Sequence, residues 1–244
     1  MSSPVFPLLI TTAIQPPEGI PFLSMTNSIK RKVLSKAALY HWVGKGVTRV
    51  VIADATNCLL LSEKELEELA LLGVTVEQIQ YNQNVERTRA KGKGYAEGKL
   101  IEFALENSNL LGDTGHFYKS TGKTFVRNFV SIESIIQKNK IDSLLWRHFE
   151  AEGVSRPWAD TRFYFTSIDF AVAHLIPSYL ESDDKVSACE FHIYNKLNEI
   201  CQPQKSLRPL VCGFAGGTDS EYFDESLGYL DANFPCWIHN QQHC

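Results

Sequence analysis

The first eighty residues switch between two hydrophobic periods, and that switching leaves few folds open. Residues 5–14 form a continuous apolar run ending in Thr11-Thr12, the mark of a buried strand, and Gln15-Pro-Pro-Glu-Gly19 breaks it. Residues 28–44 then repeat at helical spacing, with Val33, Ala37, Tyr40 and Val43 on one stripe expected to face the core and Gly44 or Gly46 as the stop. Residues 48–54 return to strand character. Ser62-Glu-Lys-Glu65 is a capping box that opens a helix reaching Leu72 and ending at Gly73, and residues 74–81 read as a third strand. Strand, helix, strand, helix, strand predicts a parallel α/β sheet with right-handed crossovers. A helix over 94–108 and a strand over 116–119 continue it. Beyond Ile141 the pattern loosens: strands are expected over 143–149 and 161–166, helices over 167–175 and 187–201, and an irregular tail from Leu207.

Composition narrows the partners. The chain has 244 residues, 44% hydrophobic, enough for one large core, so a single domain over 1–244 is expected. A formal net charge of -4 argues against a nucleic-acid partner; Lys91, Lys93 and Lys99 suffice for one small anion. No apolar run approaches the roughly 20 residues of a membrane span. The N-terminus has neither the basic start nor the apolar core of a signal peptide. The six cysteines, at 58, 189, 201, 212, 236 and 244, form no C-x-x-C pair and read as scattered thiols of a cytoplasmic protein. Peripheral association with the inner face of a membrane through a partner is compatible with this, although no segment encodes it. No histidine stands at metal-ligand spacing, and His192 reads as a packing residue.

Two stretches carry the chemistry. Lys91-Gly-Lys-Gly-Tyr-Ala-Glu97 reads as a basic, glycine-rich turn opening a helix, and Phe117-Tyr-Lys-Ser-Thr-Gly-Lys123 as a strand ending in a polar turn with a lysine at its tip. Both put cations and backbone N–H groups where strands of an α/β sheet end, a place suited to phosphate. Neither is a standard loop: Glu97 stands where the dinucleotide fingerprint needs its third glycine, and Phe117 where a Walker A loop needs its first. Glu97 is open to two readings, a capping acid in the helix dipole or a residue fixing the turn while Lys93 meets an anion. Lys123 is either a solvated turn lysine or one held by the apolar residues on both sides. In Pro157-Trp-Ala-Asp-Thr-Arg-Phe-Tyr-Phe165, Asp160 and Arg162 form an internal ion pair or one wall of a sugar site. Asp183 and Asp184 are expected to cap the helix that follows them. Glu190 lies in an apolar stripe with Ala188, Phe191 and Tyr194, so it is a surface acid or a carboxylate whose raised pKa suits a general base.

The order of these pieces resembles the GT-A fold of nucleotide-sugar glycosyltransferases, and more narrowly the small bacterial glycosyltransferase-like proteins of surface-polysaccharide clusters. The resemblance is carried by Leu9-Ile-Thr-Thr12, Val51-Ile-Ala-Asp-Ala-Thr-Asn57, Gly92-Lys-Gly-Tyr-Ala-Glu97, Phe117-Tyr-Lys-Ser-Thr-Gly-Lys123, Asp160-Thr-Arg-Phe-Tyr-Phe165 and Glu190, across most of the chain. It implies an α/β, Rossmann-like, mostly parallel central sheet flanked by helices, with a nucleotide-binding half over 1–128 and an elaborated, pocket-completing half over 129–244. It implies donor contacts from Thr11, Thr12, Asp54, Lys93, Glu97, Thr121, Gly122, Lys123 and Arg162. A base would deprotonate the acceptor, Glu190 matching that position best and Asp160 second. The partners implied are a nucleotide-diphosphate sugar and a glycan or lipid-linked glycan acceptor. Where such proteins carry an Asp-x-Asp pair for manganese, this chain has Ser120-Thr-Gly-Lys123, so no cofactor is assigned and Lys123 with Lys93 would neutralise the leaving diphosphate. The missing acid pair leaves two alternatives open: a nucleotide-sugar-binding accessory protein without catalysis, and another phosphate-handling transferase.

Overall fold

The computed structural model describes residues 6–148, 157–200, 207–217, 221–222 and 234–239, with backbone alone at 148, 222 and 234–239. In chain order the first half contains β1 (Leu8–Thr12), α1 (Ser28–Gly44), β2 (Arg49–Asp54), α2 (Glu63–Leu71), β3 (Thr75–Gln80), α3 (Val85–Lys91), α4 (Lys93–Asn107), α5 (Asn109–Gly112), β4 (His116–Thr121) and β5 (Thr124–Val126). The second half adds α6 (Phe129–Asn139), β6 (Ile141–His148), β7 (Trp158–Ala159), β8 (Phe163–Ser167), α7 (Ile168–Phe170), a π-helical turn (Ala171–Leu175), α8 (Ile176–Glu181), α9 (Cys189–Ile200), β9 (Val211–Phe214), β10 (Glu221–Tyr222) and β11 (Phe234–His239).

The main sheet has the order β11-β6-β8-β4-β1-β2-β3, with β7 added beside β6. Strands β3, β2, β1 and β4 are parallel neighbours. Strand β8 inserts antiparallel between β4 and β6, and β11 runs antiparallel to β6. The sheet is therefore mostly parallel and flanked by helices, the fold class expected. Successive side chains alternate across it. Leu8, Ile10, Val50 and Ile52 meet Leu39 and Trp42 of α1, Leu69 of α2 and Ile132 of α6 on one side. Leu9, Val51 and Ala53 meet Leu100, Ile101 and Ala104 of α4, Tyr179 of α8 and Ile193 of α9 on the other. The connections leaving β1 and β2 thus cover one side, and the one from β3 to β4 crosses to the other.

Local signals explain the ends of several elements. Ser62 and Glu65 form both hydrogen bonds of the capping box, and Gly73, with φ 75, follows α2 in the left-handed region. Four expectations change. The buried face of α1 is Arg31, Ser35, Ala38, Leu39 and Trp42, while Val33 and Tyr40 are exposed: Leu39 and Trp42 pack into the core, and Arg31 shares their face, bonded to the Ala13 and Met25 carbonyls. Helix α3 is an additional element, capped by the Asn84 side chain on Arg87 N–H. The polar turn at Gly122 leads into an additional strand: β4 stays in the main sheet, and β5 joins β9 and β10 in a second, three-stranded sheet. The tail is not irregular throughout: its backbone forms β9, β10 and β11. The expected strand start at Val5, strand end at Phe149 and helix end at Cys201 lie outside the described residues, as do Cys244 and the side chain of Cys236. Cys58 and Cys189 are free thiols.

Candidate functional site

Parallel strands leave a crevice at their C-terminal ends at the point where the strand order reverses. Here that point lies between β1 and β4. Thr11 and Thr12 end β1, Thr121 ends β4, and Ala55 follows β2; all four line a cavity of about 420 Å³. Helix α4 contributes Lys93, Gly94 and Glu97, the turn after β4 contributes Lys123, and α1 contributes Arg31. The segments before β8 and around the start of α9 add Thr161, Arg162, Asp184 and Glu190.

Lys123 is the most unusual group in the cavity. It is 6% exposed, and among the described residues its ammonium has no hydrogen-bond or ion-pair partner. Burial, with repulsion from Arg31, Lys93 and Lys119, pushes its pKa down to about 7, against the attraction of Glu97. Gly216 and Gly217 close over this corner. A Cβ on Gly216 would lie 3.4 Å from Lys123 Nζ, and one on Gly217 would lie 3.1 Å from Lys93 Nζ. The two ammonium groups therefore stand beside consecutive residues of one turn. Lys93 Nζ donates to the Phe22 carbonyl at 2.8 Å. Arg31 is fixed by the carbonyls of Ala13 and Met25, and burial lowers its pKa.

A second group of side chains is acidic. Glu97 Oε1 accepts from Thr11 Oγ1 at 2.6 Å and from Lys119 Nζ at 2.7 Å. Lys119 is fully buried and also donates to the Thr161 carbonyl at 2.6 Å, so it braces α4 against β4 and the approach to β8. Glu190 Oε1 accepts weakly from Thr161 Oγ1 at 3.4 Å, and burial raises its pKa, assisted by the charges of Asp184 and Glu97. Asp184 accepts the Lys93 N–H at 2.6 Å and a second backbone N–H from Gly94; burial raises its pKa too. The cavity is bipolar, with Arg31, Lys93 and Lys123 set against Glu97, Asp184 and Glu190.

Thr11, Thr12, Lys93, Glu97, Thr121, Lys123, Arg162 and Glu190 share the cavity. Asp54 does not reach it. Its carboxylate is 1% exposed and accepts from Thr12 Oγ1, from the N–H groups of Ile14, Thr56 and Cys58, and from Thr56 Oγ1, which ties the ends of β1 and β2 together. Gly122 packs against β1: its N–H donates to the Thr11 carbonyl at 2.8 Å, and a Cβ there would collide with Thr12. Asp160 is buried and engaged by Arg162 through Nε at 2.9 Å and Nη2 at 2.5 Å, so it orients the arginine rather than facing the cavity. The N-terminus of α4 is not open to an outside anion, because Asp184 fills it. Asp184 therefore caps α4 and not the helix that follows it in sequence. Glu97 is an ion-pair partner and not a capping acid. Arg31 and Lys119 were not singled out in the sequence. Their charges suggested solvent, and only the assembled sheet shows what buries them. Among the described residues no three His, Cys, Asp or Glu side chains converge in a metal-holding arrangement.

No family model matches the sequence, and no curated protein does. Among solved structures the chain is similar to a protein described as a glucose-1-phosphate thymidylyltransferase from Bacillus anthracis, in complex with sucrose. The two are 10% identical over 85% of this chain and 89% of that one, with a TM-score of 0.48. It is also similar to a mannose-1-phosphate geranyltransferase from Thermus thermophilus, 8% identical over 78% of this chain and 67% of that one, with a TM-score of 0.33. Likeness at this level of overlap carries no argument about activity.

Proposed function

We propose that the protein is a glycosyltransferase of the GT-A kind, binding a nucleotide-diphosphate sugar between β1 and β4 and passing the sugar to a hydroxyl acceptor. The observation that carries this reading is Lys123: a buried lysine just past the end of β4 whose ammonium has no partner among the described residues, in one cavity with Lys93, Arg31 and three carboxylates. A diphosphate supplies the charge the cationic group lacks, and a polyhydroxylated sugar supplies donors to carboxylates. The reaction is a displacement at the anomeric carbon. Glu190 accepts the proton of the acceptor hydroxyl, the new C–O bond forms, the bond to the diphosphate oxygen breaks, and the charge left on the diphosphate falls against Lys123 and Lys93. Asp160 holds Arg162, and Lys119 holds Glu97.

Ligand that binds the native state raises the melting temperature by mass action. UDP, GDP, CMP and dTDP compounds are the probes, and at least one is expected to raise the melting temperature of the wild type and to fail with Lys123→Met. A Lys123→Met protein that melts cooperatively and keeps the full ligand shift would remove Lys123 from the site. Replacing the base, as Glu190→Gln, is expected to keep the shift and to lower turnover by ~10²–10⁴. A second reading, donor binding without transfer, is favoured by Ser120-Thr-Gly-Lys123 standing where an acid pair would be. Donor hydrolysis by the wild type decides against it.

A further inference from the structure

The apolar surface at the cavity does not stop at its rim. Pro16, Pro17, Ile20 and Leu23 line the outer wall, and Phe22 among them is 66% exposed, with its backbone in the left-handed region at φ 53. Bulky residues avoid that region, so the ring is held outward at a conformational cost. Helix α1 starts six residues later. It carries Ile29 and Val33, 75% and 59% exposed, on an outward stripe completed by Ala37 and Tyr40. Val186 is 83% exposed beside Lys185, in the turn closed by the Asp183–Ser187 bridge that brings Asp184 and Ala188 to the cavity wall. Exposed apolar side chains thus stand at the rim of the cavity and along α1.

The charge along α1 has one sign, whereas the lip before it carries the exposed Glu18. Residues 28–53 include Lys30, Arg31, Lys32, Lys36, Lys45 and Arg49 and no acid. Helical spacing places Lys30 on one flank of the stripe and Lys32 and Lys36 on the other. Lys36 is paired with Glu65 of α2, and the exposed Glu63, Glu67 and Glu68 of that helix bound the basic strip on this side. A second copy laid α1 against α1 would oppose lysine to lysine. An anionic bilayer suits both features, taking apolar tips below its headgroups and lysines among its phosphates. No described helix is long and apolar enough to cross a membrane.

We propose that the lip of the cavity and the first turns of α1 dock on an anionic phospholipid bilayer, with the opening turned toward the headgroups. This stands apart from the chemistry assigned to the cavity. The test is flotation of the full chain with vesicles of phosphatidylcholine alone or mixed with phosphatidylglycerol. Flotation is expected with the anionic vesicles only and should fall with added salt. The double variant Ile29→Ser/Val33→Ser should lower the bound fraction by about tenfold or more, and each of Lys30→Gln and Lys32→Gln by about fivefold. Circular dichroism melts establish that the variants are folded. Nucleotide-induced thermal shifts in the same proteins separate failure of docking from failure of the cavity. Absence of flotation with anionic vesicles overturns the proposal, as does flotation untouched by the folded variants. So does a dimer in solution that Ile29→Ser/Val33→Ser dissociates, which would give the face to a second copy.

Discussion

Lys123 is a cation in a place that resists cations, and this has a sign that can be measured. Its pKa is near 7 in the folded chain, below the ordinary lysine value. Between the two values the unfolded chain binds more protons than the folded one, so folding stability rises with pH through that window. The penalty is fully present below about 7 and is relieved as pH climbs toward the ordinary lysine range. Lys123→Met should therefore stabilise the ligand-free protein at pH 6, on the order of 2 kcal/mol, and stabilise it little at pH 10. Urea melts at the two pH values read this directly, and equal effects at both would mean the ammonium is not strained by burial. Lys123 was visible in the sequence because apolar neighbours flank its turn. Arg31 was not, since a charge between Lys30 and Lys32 gives no local reason to point inward. Its place depends on the Ala13 and Met25 carbonyls, which the fold brings from outside the helix.

At the scale of elements, the glycines of α4 do a different job from the one their spacing suggested. A Cβ at Gly92 would strike the Asp184 carboxylate, one at Gly94 would lie 2.9 Å from Cys189, and one at Gly98 would strike the Tyr179 side chain. They form the flat ridge on which α8 and the start of α9 lie, and Gly92 also has φ 96. Gly98→Ala is the clean test, because helix propensity alone would favour the alanine by ~1 kcal/mol. Overpacking against Tyr179 should outweigh that gain and destabilise the protein by ~1–3 kcal/mol in denaturant melts; a more stable variant would mean α8 yields easily. Elements set by local chemistry were legible: the Ser62 capping box, the β-strand runs and the reach of α1. Elements set by distant partners were not. Strand β5 exists because β9 pairs with it, and Asp184 caps a helix ninety residues earlier in the chain.

For the molecule as a whole, the cavity needs both halves of the sequence: the parallel strands give its floor and cations, and the segment before β8 with the start of α9 gives Glu190 and its surroundings. In the proposed transfer fixed cations stand beside the leaving diphosphate, so turnover should survive EDTA. Loss of activity restored by manganese would mean that charge neutralisation is not the protein's own. The sequence showed the sheet and most of the residues around the cavity. It could not show that the Gly216–Gly217 turn and Arg31 enclose the lysines, because nothing in their neighbourhood along the chain requires it. The insertion of β8 between β4 and β6 has a further consequence, for synthesis. A nascent chain emerging from the ribosome makes β6 before the strand that links it to the rest, so β4 keeps an unpaired edge and β6 has no berth until residues 163–167 have been added. A chain stalled before that point would hold Lys93 and Lys123 on an incomplete sheet, open to pairing with other chains.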